Sequence, residues 1–345
     1  MEPLVSVIIG NFNYARFLRA AIDSALAQTY PRTEVIAVDD GSTDDSRQVI
    51  ASYGDRIASV LKREGGHASV LNAGFRASRG AIVMFLDSDD MLLPEAAAEV
   101  VRAWRSDTAK VQFVLEQVDA GGRRLGITVP YLPAEMPEGD LRDKILRDGG
   151  YVTPPTSGSA FARPVLERLL PLREPEWFQA ANTPIEILAP FFGQVVSIKK
   201  PLGLYRVHDA NYGMLGGPLA ARKLRSKLVT DLQREYTLCE FARRAGLNPA
   251  GNWTAHDLGN LKYRLASLRT DPGFHPFLDD RRLVLMARGV AESWRTPRYS
   301  IRGRLFNTAW FPLVAILPMA LARPLIRMGL LPRRKRRNGG AGTAP

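Results

Sequence analysis

Cysteine is nearly absent: Cys239 is the only one in 345 residues. One cysteine cannot form a disulfide within the chain, which excludes the disulfide-stabilised folds of small secreted proteins. Cys239 lies in a stretch with helical periodicity, and we predict that its thiol is a buried structural group. No basic leader precedes the first apolar run, Leu4 to Ile9, and we therefore expect the working face of the protein to be cytoplasmic.

The sequence also lacks an apolar run suited to span a membrane. Its most apolar segment, Leu305 to Ala322, contains Pro312 and Pro318 and has arginines on both flanks, whereas a spanning helix needs about 20 apolar residues. We predict instead that residues 301–337 lie in the membrane interface, where the basic residues 333–337 would bind anionic lipid. A solvated tail without a partner is the alternative for residues 333–337.

Acidic residues are scarce in the carboxyl-terminal part. Residues 217–345 contain 24 Lys and Arg against 8 Asp and Glu, whereas residues 1–216 contain 23 against 27. The basic part is expected to face lipid head groups or nucleic acid. We favour peripheral attachment to the inner face of the cell membrane, because no aromatic and basic platform for nucleic acid accompanies the charge. The overall composition, 46% hydrophobic and 24% charged, is that of a globular protein.

Alternating strands and helices are indicated in the amino-terminal third. Short apolar, β-branched runs predict strands at Val5 to Ile9, Glu34 to Val38, Ala58 to Lys62 and Ala81 to Leu86. Apolar stripes at helical spacing predict helices at Tyr14 to Leu26, Arg47 to Tyr53 and His67 to Ser78. We expect Asn13 to cap the first helix and Gly74 to interrupt the third. This alternation predicts βαβ units, a parallel sheet and a ligand site at the carboxyl ends of its strands.

The pattern changes after residue 105. A hairpin is predicted from Val111 to Val129, followed by a loop-rich stretch over residues 130–160 around one short helix. A later strand is predicted at Val195 to Lys199. Beyond Gly217 the sequence becomes basic and helical.

An acidic turn follows the fourth predicted strand directly. It consists of Asp87, Ser88, Asp89 and Asp90, and carboxylates this close repel one another unless a cation compensates their charge. Two carboxylates together with substrate phosphates are the oxygen ligands that Mg²⁺ or Mn²⁺ prefers. The turn therefore predicts a divalent metal site. The structural alternative is a helix cap, which Asp90 would supply.

A second acidic cluster ends the second predicted strand. A parallel sheet would bring Asp39 and Asp40 to the same edge as the first cluster, where a carboxylate can accept hydrogen bonds from a base or a ribose. For the next polar residues, Ser42, Asp44 and Asp45, turn and helix capping is the favoured interpretation.

A series of motifs in this region occurs in a specific order. It runs through residues 5–9, 13–18, 27–31, 38–44, 65–66, 72–74 and 85–90. The series resembles the family 2 glycosyltransferases of the GT-A fold over roughly residues 4–105, and residues 202–211 resemble the closing Tyr-Arg-x-His element of that family. The resemblance implies an α/β GT-A domain, with a Rossmann-like, mostly parallel sheet flanked by helices, that uses a nucleotide-diphosphate sugar.

The resemblance also implies roles for particular residues. The nucleotide site would comprise Gly10, Asn11, Phe12, Asn13, Asp39, Asp40, His67, Asp87, Ser88 and Arg206. The metal would be bound by Asp87, Asp89 and His208, although a packed, hydrogen-bonded histidine is the alternative for His208. The metal would act as a Lewis acid that stabilises charge on the departing nucleotide, and Arg206 would add to this effect.

Some positions depart from the family pattern. Family members usually have proline at Gly10 and often glutamine at His67. Inverting transfer needs a carboxylate that deprotonates the acceptor hydroxyl, and relatives place aspartate where this chain has Asn182. Because asparagine cannot act as a base, another carboxylate must substitute or activity is altered. Glu186, one helical turn further, is the nearest candidate, with a solvated helix residue as its alternative. Two other carboxylates lie upstream: Glu174 and Glu176.

We therefore predict a GT-A domain over residues 1–215, a basic helical extension over 216–300, a membrane-interface segment over 301–337 and a disordered tail over 338–345. The predicted reaction is metal-dependent, inverting, non-processive transfer of a sugar to a glycan or lipid-linked acceptor, since the Gln-x-x-Arg-Trp motif of processive synthases is missing. Two alternatives stay open. One is a nucleotidyltransferase, although no glycine-rich, basic loop follows the first strand. The other is a nucleotide-sugar binding protein with impaired catalysis.

Overall fold

The computed structural model describes residues 2–131, 133–208, 221–295 and 300–330. The basic run 333–337 and the tail 338–345 lie outside them. Strands are β1 (Val5–Asn11), β2 (Thr33–Asp40), β3 (Ala58–Lys62), β4 (Ile82–Asp87), β5 (Met91–Leu92), β6 (Thr108–Val118), β7 (Arg124–Val129), β8 (Ser159–Ala162) and β9 (Gln194–Arg206). Helices are α1 (Ala15–Leu26), α2 (Ser46–Ala51), α3 (Gly66–Ala77), α4 (Ala96–Ala103), α5 (Arg142–Asp148), α6 (Arg163–Leu169), α7 (Asn182–Leu188), α8 (Ala221–Arg244), α9 (Trp253–His256), α10 (Leu258–Thr270), α11 (Arg282–Arg295), α12 (Ile301–Ile316) and α13 (Met319–Leu330).

The strands form one mixed sheet in the order β3-β2-β1-β4-β8-β6-β9-β5, with β7 paired to β6. β3, β2, β1 and β4 are parallel to one another, and β9 is parallel to β6. β8 runs antiparallel between β4 and β6. The predicted α/β fold with a mostly parallel sheet is confirmed.

Helices cover both faces of the parallel part. Successive side chains of β1 point to opposite faces, so the strand contributes to an apolar core on each side. Val7 and Ile9 belong to the apolar core that includes Leu18 and Ile22 of α1. Ile8 belongs to the opposite core. A strand buried on both faces reads as a continuous apolar run, which is why its position was predictable.

Gly74 does not interrupt α3, which continues through it to Ala77. A Cβ atom at Gly74 would overlap with Cγ2 of Ile8 on β1. The glycine therefore lets the helix pack closely against the strand, and the predicted interruption is wrong. The physical reason lies in tertiary packing, which the local sequence does not reveal.

β9 continues well beyond the predicted end at Lys199. It passes through Pro201, which cannot donate a backbone hydrogen bond, and its register with β6 shifts on either side of the pair Val114 and Pro201. The strand then resumes and pairs Arg206 with Val118. This extension carries Arg206 close to the acidic turn. The short strands β5 and β8 were also not predicted.

The chain divides into two compact units: a first unit of Met1–His208 with Gln233–Gly251, and a second unit of Asp209–Leu232 with Asn252–Pro345. In the second unit, α10 to α13 enclose an apolar core in which Trp310 and Phe311 are almost fully buried. The predicted interface segment is thus partly core, while Leu305 and Ile316 of the same helix are more than half exposed. None of the described helices is both long and apolar enough to cross a membrane.

Candidate functional site

The carboxyl ends of β1, β2 and β4 form one edge of the sheet, where the acidic clusters lie. In the strand register, Asn11 pairs with Asp39 of β2 and Gly10 pairs with Asp87 of β4. β1 thus separates the two acidic strand ends, which are roughly 10 Å apart at the usual strand spacing. The register confirms that the two acidic segments converge on one edge.

Asp39 is fully buried, and protein groups occupy its carboxylate. Its Oδ1 accepts a hydrogen bond from Nδ2 of Asn11 at 3.1 Å, and its Oδ2 accepts from the backbone N–H of Ser42 at 3.1 Å and from Nε of Arg47 at 2.9 Å. Burial raises the pKa of Asp39, but the hydrogen bonds from these three residues outweigh it and hold the pKa below its usual value. Asp39 therefore stays ionised and fixes the loop after β2.

The loops after β1 and β2 are joined through Asn13. Its Oδ1 accepts a hydrogen bond from the backbone N–H of Thr43 at 2.8 Å, and its own N–H donates to Oγ of Ser42 at 2.9 Å. The predicted capping of α1 by Asn13 is wrong, because the cap comes from the other loop. The N–H of Ala15 in the first turn of α1 donates to Oδ2 of Asp44 at 2.9 Å.

Asp40 holds the turn that begins α3. Its carboxylate forms an ion pair with Lys62 and accepts hydrogen bonds from the N–H groups of Gly65 at 3.0 Å and Gly66 at 2.8 Å. Gly66 has a φ of 80°, a conformation that glycine adopts with little strain. The sequence motifs did not mark Lys62 or Arg47 as partners of the acidic pair.

His67 ties this turn to the segment before α7. Burial lowers the pKa of His67 to about 4, against the opposing charge of Asp40, so its ring is neutral and Nδ1 accepts a hydrogen bond from the N–H of Ala181 at 3.2 Å. Ala180 has a left-handed backbone with a φ of 54°, which costs a non-glycine residue roughly 1–2 kcal/mol. Asn182, the first residue of α7, is thereby held beside the turn that Asp40 makes.

The turn after β4 brings Asp89 to His208. Oδ2 of Asp89 lies 2.9 Å from Nε2 of His208. The side chain of His208 is almost fully buried and packs against the rings of Tyr14 and Phe17, whose centroids are 5.5 and 4.9 Å away. Burial, followed by the negative charge of Asp89, raises the pKa of Asp87 to about 7.

Asp87 and Asp89 suit a divalent cation that also takes ligands from a substrate. Within residues 2–131, 133–208, 221–295 and 300–330, no three His, Cys, Asp or Glu side chains are arranged to hold an ion by themselves. Mg²⁺ is typically bound by one or two carboxylates, with water and substrate phosphates completing its shell. The raised pKa of Asp87 reflects burial and repulsion between neighbouring carboxylates, which a shared cation would relieve.

Asp87 is expected to make the stability of the metal-free protein depend on pH. A carboxyl group whose pKa is higher in the folded chain stabilises the fold while protonated, and this contribution is lost as the pH rises through the folded-state pKa. Because the pKa of Asp87 is raised from 3.8 to about 7, the Tm of Asp87→Asn minus that of the wild type should increase between pH 5.5 and 8 in EDTA. A difference that stays constant over this range would contradict the raised pKa.

Ser157, which no sequence motif marks, organises the acidic turn. Its Oγ donates to Oδ2 of Asp90 at 2.7 Å and accepts from the N–H of Asp87 at 3.1 Å. Oδ1 of Asp90 accepts from the N–H of Arg206 at 2.9 Å. Asp90 therefore links the acidic turn to Ser157 and to β9. It does not cap a helix, since the capping position of α4 is Glu95. Ser88 is buried within this turn.

The side chain of Arg206 reaches the same turn from β9. It is 5% exposed, its Nε donates to the carbonyl of Asp89 at 2.8 Å, and its Nη1 donates to the carbonyl of Ala120 at 3.0 Å. The guanidinium carbon lies 4.7 Å from the centroid of the Phe17 ring. Arg206 thus supplies positive charge beneath the acidic turn and also holds its backbone in place.

Glu186 does not join the acidic edge. It forms an ion pair with Lys110, which is fully buried, and Lys110 also donates to Thr153 at 2.7 Å and to Tyr151 at 3.0 Å. Through β8, Lys110 is level with Val83, four residues before Asp87, which is roughly 13 Å along the strands. We therefore do not propose Glu186 as the base.

The upstream carboxylates are placed near α3. Oε1 of Glu174 lies 3.4 Å from Nδ2 of Asn72, and Glu176 pairs with Arg173 at 2.6 Å. The segment that follows them is fixed to α3, since the N–H of His67 donates to the carbonyl of Phe178 at 2.8 Å.

A mostly parallel sheet with acidic, glycine-containing loops at its carboxyl edge is the arrangement in which α/β proteins bind their ligands. A sequence profile described as "Glycosyl transferase family 2" matches residues 6–170. An uncharacterized glycosyltransferase of Nostoc sp. is 34% identical over 269 residues, which is 75% of this chain and 81% of that protein. The chain belongs to glycosyltransferase family 2.

Two other relatives match over shorter stretches, and one solved structure matches over most of the chain. An uncharacterized glycosyltransferase of Rickettsia prowazekii is 47% identical over 93 residues, 27% of this chain and 29% of that protein. A chondroitin synthase of Pasteurella multocida is 39% identical over 108 residues, 30% of this chain and 11% of that protein. The solved mannosyltransferase of Pyrobaculum calidifontis, in complex with GDP-Man and Mn²⁺, has a TM-score of 0.52 at 17% identity and covers 94% of this chain and 85% of that one. This likeness shows the GT-A fold.

Proposed function

We propose that the protein transfers one sugar from a nucleotide-diphosphate sugar to a hydroxyl group of a glycan or lipid-linked acceptor, with inversion and with Mg²⁺ or Mn²⁺ as cofactor. The observation that carries this proposal is the register that places Asp39 and the Asp87–Asp89 turn on either side of β1, at one edge of the sheet. A nucleotide would lie across this edge, with its base toward Asp39 and its diphosphate toward Asp89.

The base and ribose would be bound by the two joined loops. Phe12 is 40% exposed, and its ring offers a face on which a base can stack. Asp39 is held rigid by its three hydrogen bonds, and its Oδ1, which among the described residues accepts only the one from Asn11, can accept a further one. Asn11 and Asn13 fix the relative position of the two loops. Asp40 and His67 shape the neighbouring turn, where the absence of a Cβ atom at Gly65 and Gly66 lets Ser69 and Phe178 approach closely.

The diphosphate would be bound at the acidic turn. Asp87 and Asp89 would hold the metal. His208, predicted from the sequence as a third metal ligand, would instead orient Asp89 through their contact at 2.9 Å. When bound, the divalent metal supplies Lewis-acid stabilisation of the charge on the departing nucleotide. Ser157 and Arg206 keep this turn in place, and Arg206 adds positive charge nearby.

A second candidate function is nucleotide-sugar binding with impaired catalysis. Two considerations favour it: the family resemblance implies an aspartate at the position of Asn182, and Glu186 is neutralised by Lys110. If transfer does occur, the base must be another carboxylate, and Glu174 and Glu176 precede the segment that carries Asn182. Both candidates share the donor site and differ only in the chemical step.

The second unit supports an acceptor at the membrane surface. Its exposed apolar side chains on α12 and α13 include Ile301, Leu305, Ile316 and Leu321, each more than half exposed. Residues 217–345 also carry a large excess of basic residues. Exposed apolar groups beside basic ones are the chemistry that binds an anionic bilayer interface. We propose that this unit attaches the enzyme peripherally to the inner face of the cell membrane.

A nucleotide screen tests both candidates. We expect one nucleoside diphosphate, with its sugar, to raise the Tm in Mn²⁺ and not in EDTA, because a ligand that binds the folded state stabilises it. Hydrolysis of the same donor in Mn²⁺, followed by release of the nucleotide, would support the transferase. A metal-dependent Tm shift without hydrolysis, or without transfer to any hydroxyl acceptor, would support the binding protein. The absence of any shift would reject the donor site.

A further inference from the structure

A cavity of about 410 Å³ lies within the second unit. It is found where the end of α10 meets the start of α11. Its lining is formed by Leu268, Arg269, Pro272, Asp280, Arg281 and Arg282. Half of these residues are arginines, which makes the cavity a candidate site for an anion.

The arginines of the cavity have spare hydrogen-bonding capacity. Arg269 donates through Nη2 to the carbonyl of Leu317, but its Nε is buried and has no partner among the described residues. Arg281 and Arg282 are exposed at the rim, and within the described ranges neither side chain forms an ion pair or a hydrogen bond. A buried donor without a partner destabilises the fold, and an anionic ligand could accept its hydrogen bond.

The one acidic lining residue does not cancel this charge, because Asp280 is already paired. Its carboxylate forms a bidentate ion pair with Arg264, and its Oδ2 lies 2.9 Å from Nε2 of His275. The side chain of Asp280 is only 5% exposed. Asp280 and Arg264 neutralise each other, so the three cavity arginines remain as net positive charge.

Exposed apolar side chains lie within a few residues of the cavity lining along the chain. The connection from α10 to α11 carries Phe274, 61% exposed, and Leu278, 96% exposed, and the first turn of α11 adds Leu283, 63% exposed. The ring of Phe274 lies against the guanidinium of Arg225 at 5.5 Å. Transfer of such exposed apolar side chains from water into a lipid interface is favourable. A free phosphate in solution would leave them without a function.

We propose that this cavity binds the phosphate group of an anionic phospholipid, with Phe274, Leu278 and Leu283 inserted into the head-group region around it. The inference goes beyond the proposed function, since it assigns a specific lipid site outside the predicted interface segment 301–337. It depends on the proposed function only for the expectation of membrane attachment.

Vesicle binding of the double variant Arg281→Gln/Arg282→Gln tests the site. The control is Arg76→Gln/Arg288→Gln, which removes the same charge from exposed positions outside the cavity. With vesicles containing 30% phosphatidylglycerol in phosphatidylcholine, we expect the cavity variant to partition about 30-fold more weakly than the wild type, at about 1 kcal/mol for each basic residue. The control should change less than threefold. Equal losses in both variants would overturn the site, since they would indicate non-specific attraction.

A second variant separates lipid from free phosphate. Phe274→Asn/Leu278→Asn leaves the arginines in place, and it should weaken vesicle binding while its Tm without lipid stays near that of the wild type. If the cavity serves free phosphate, inorganic phosphate will raise the Tm of the wild type but not of Arg281→Gln/Arg282→Gln, and both variants will bind vesicles normally. That outcome would overturn the lipid assignment. Because no donor or metal is present in these assays, their failure leaves the proposed transfer reaction untouched.

Discussion

Asp89→Ala is expected to abolish the Mn²⁺-dependent rise in Tm that a nucleoside diphosphate produces, and to lower kcat/KM for sugar transfer by roughly 10²–10³-fold, the loss typical when one electrostatic stabiliser of a transition state is removed. The reason is positional. Asp89 is the partly exposed carboxylate of the turn after β4, and it is oriented by His208. Without it, the metal and the diphosphate would lose a shared anchor at the acidic edge.

The matched control for this variant is Asp55→Ala, since Asp55 is an exposed aspartate on a short turn away from the edge. It should leave the metal-dependent shift unchanged. Asp89→Asn adds a further comparison, because it keeps the volume beside His208 and removes only the charge. If Asp89→Ala retains the full shift in Mn²⁺, Asp89 is not part of the metal site, and the donor site as proposed is wrong.

Lys110→Met is expected to lower the free energy of unfolding by about 3–5 kcal/mol, the cost of leaving one partner of a buried ion pair without its counter-charge. Lys110 is fully buried and bonds to Glu186, Tyr151 and Thr153. Among the described residues Glu186 forms an ion pair only with Lys110, and its Oε1 has no hydrogen-bond partner there. Urea unfolding at pH 7 measures the effect.

The double variant Lys110→Met/Glu186→Met should recover most of this loss, because removing both charges ends the desolvation cost along with the attraction. The control is Lys144→Met, which breaks an exposed pair with Asp148 and should cost less than about 1 kcal/mol. Glu186→Gln distinguishes a structural from a catalytic role. We expect lower stability with unchanged kcat, whereas a large loss of kcat at full stability would restore Glu186 as the base.

The parallel strands were predictable because each carries its signal locally. β3 matches its predicted bounds, β1 and β2 extend beyond theirs by one or two residues, and β4 is shifted by one residue. A strand buried on both faces is a continuous apolar run in any context. β5 and β8 were missed because they are short and form only by pairing with distant strands.

The position of the candidate site was predictable from the sequence, but the hydrogen-bond partners of its residues were not. Its acidic residues follow directly from strand ends in a parallel sheet, so their shared edge was expected. Their partners are set by the fold: Ser157 contacts Asp87 from 70 residues away, and Arg206 reaches Asp90 across 116. Asn13 illustrates the same limit, since its side chain binds Thr43 of another loop instead of capping the adjacent helix.

Residue order was enough to identify the family, the parallel half of the sheet and the acidic edge, because periodicity and short motifs act over a few residues. Whether a given carboxylate is available or neutralised depends on segments that meet in space. Glu186 and Lys110 are 76 residues apart, and the arginines around the cavity in the second unit stay uncompensated only because Arg264 folds onto Asp280. Burial removes water from such groups and makes each charge depend on its nearest partner, and those partners are chosen by packing.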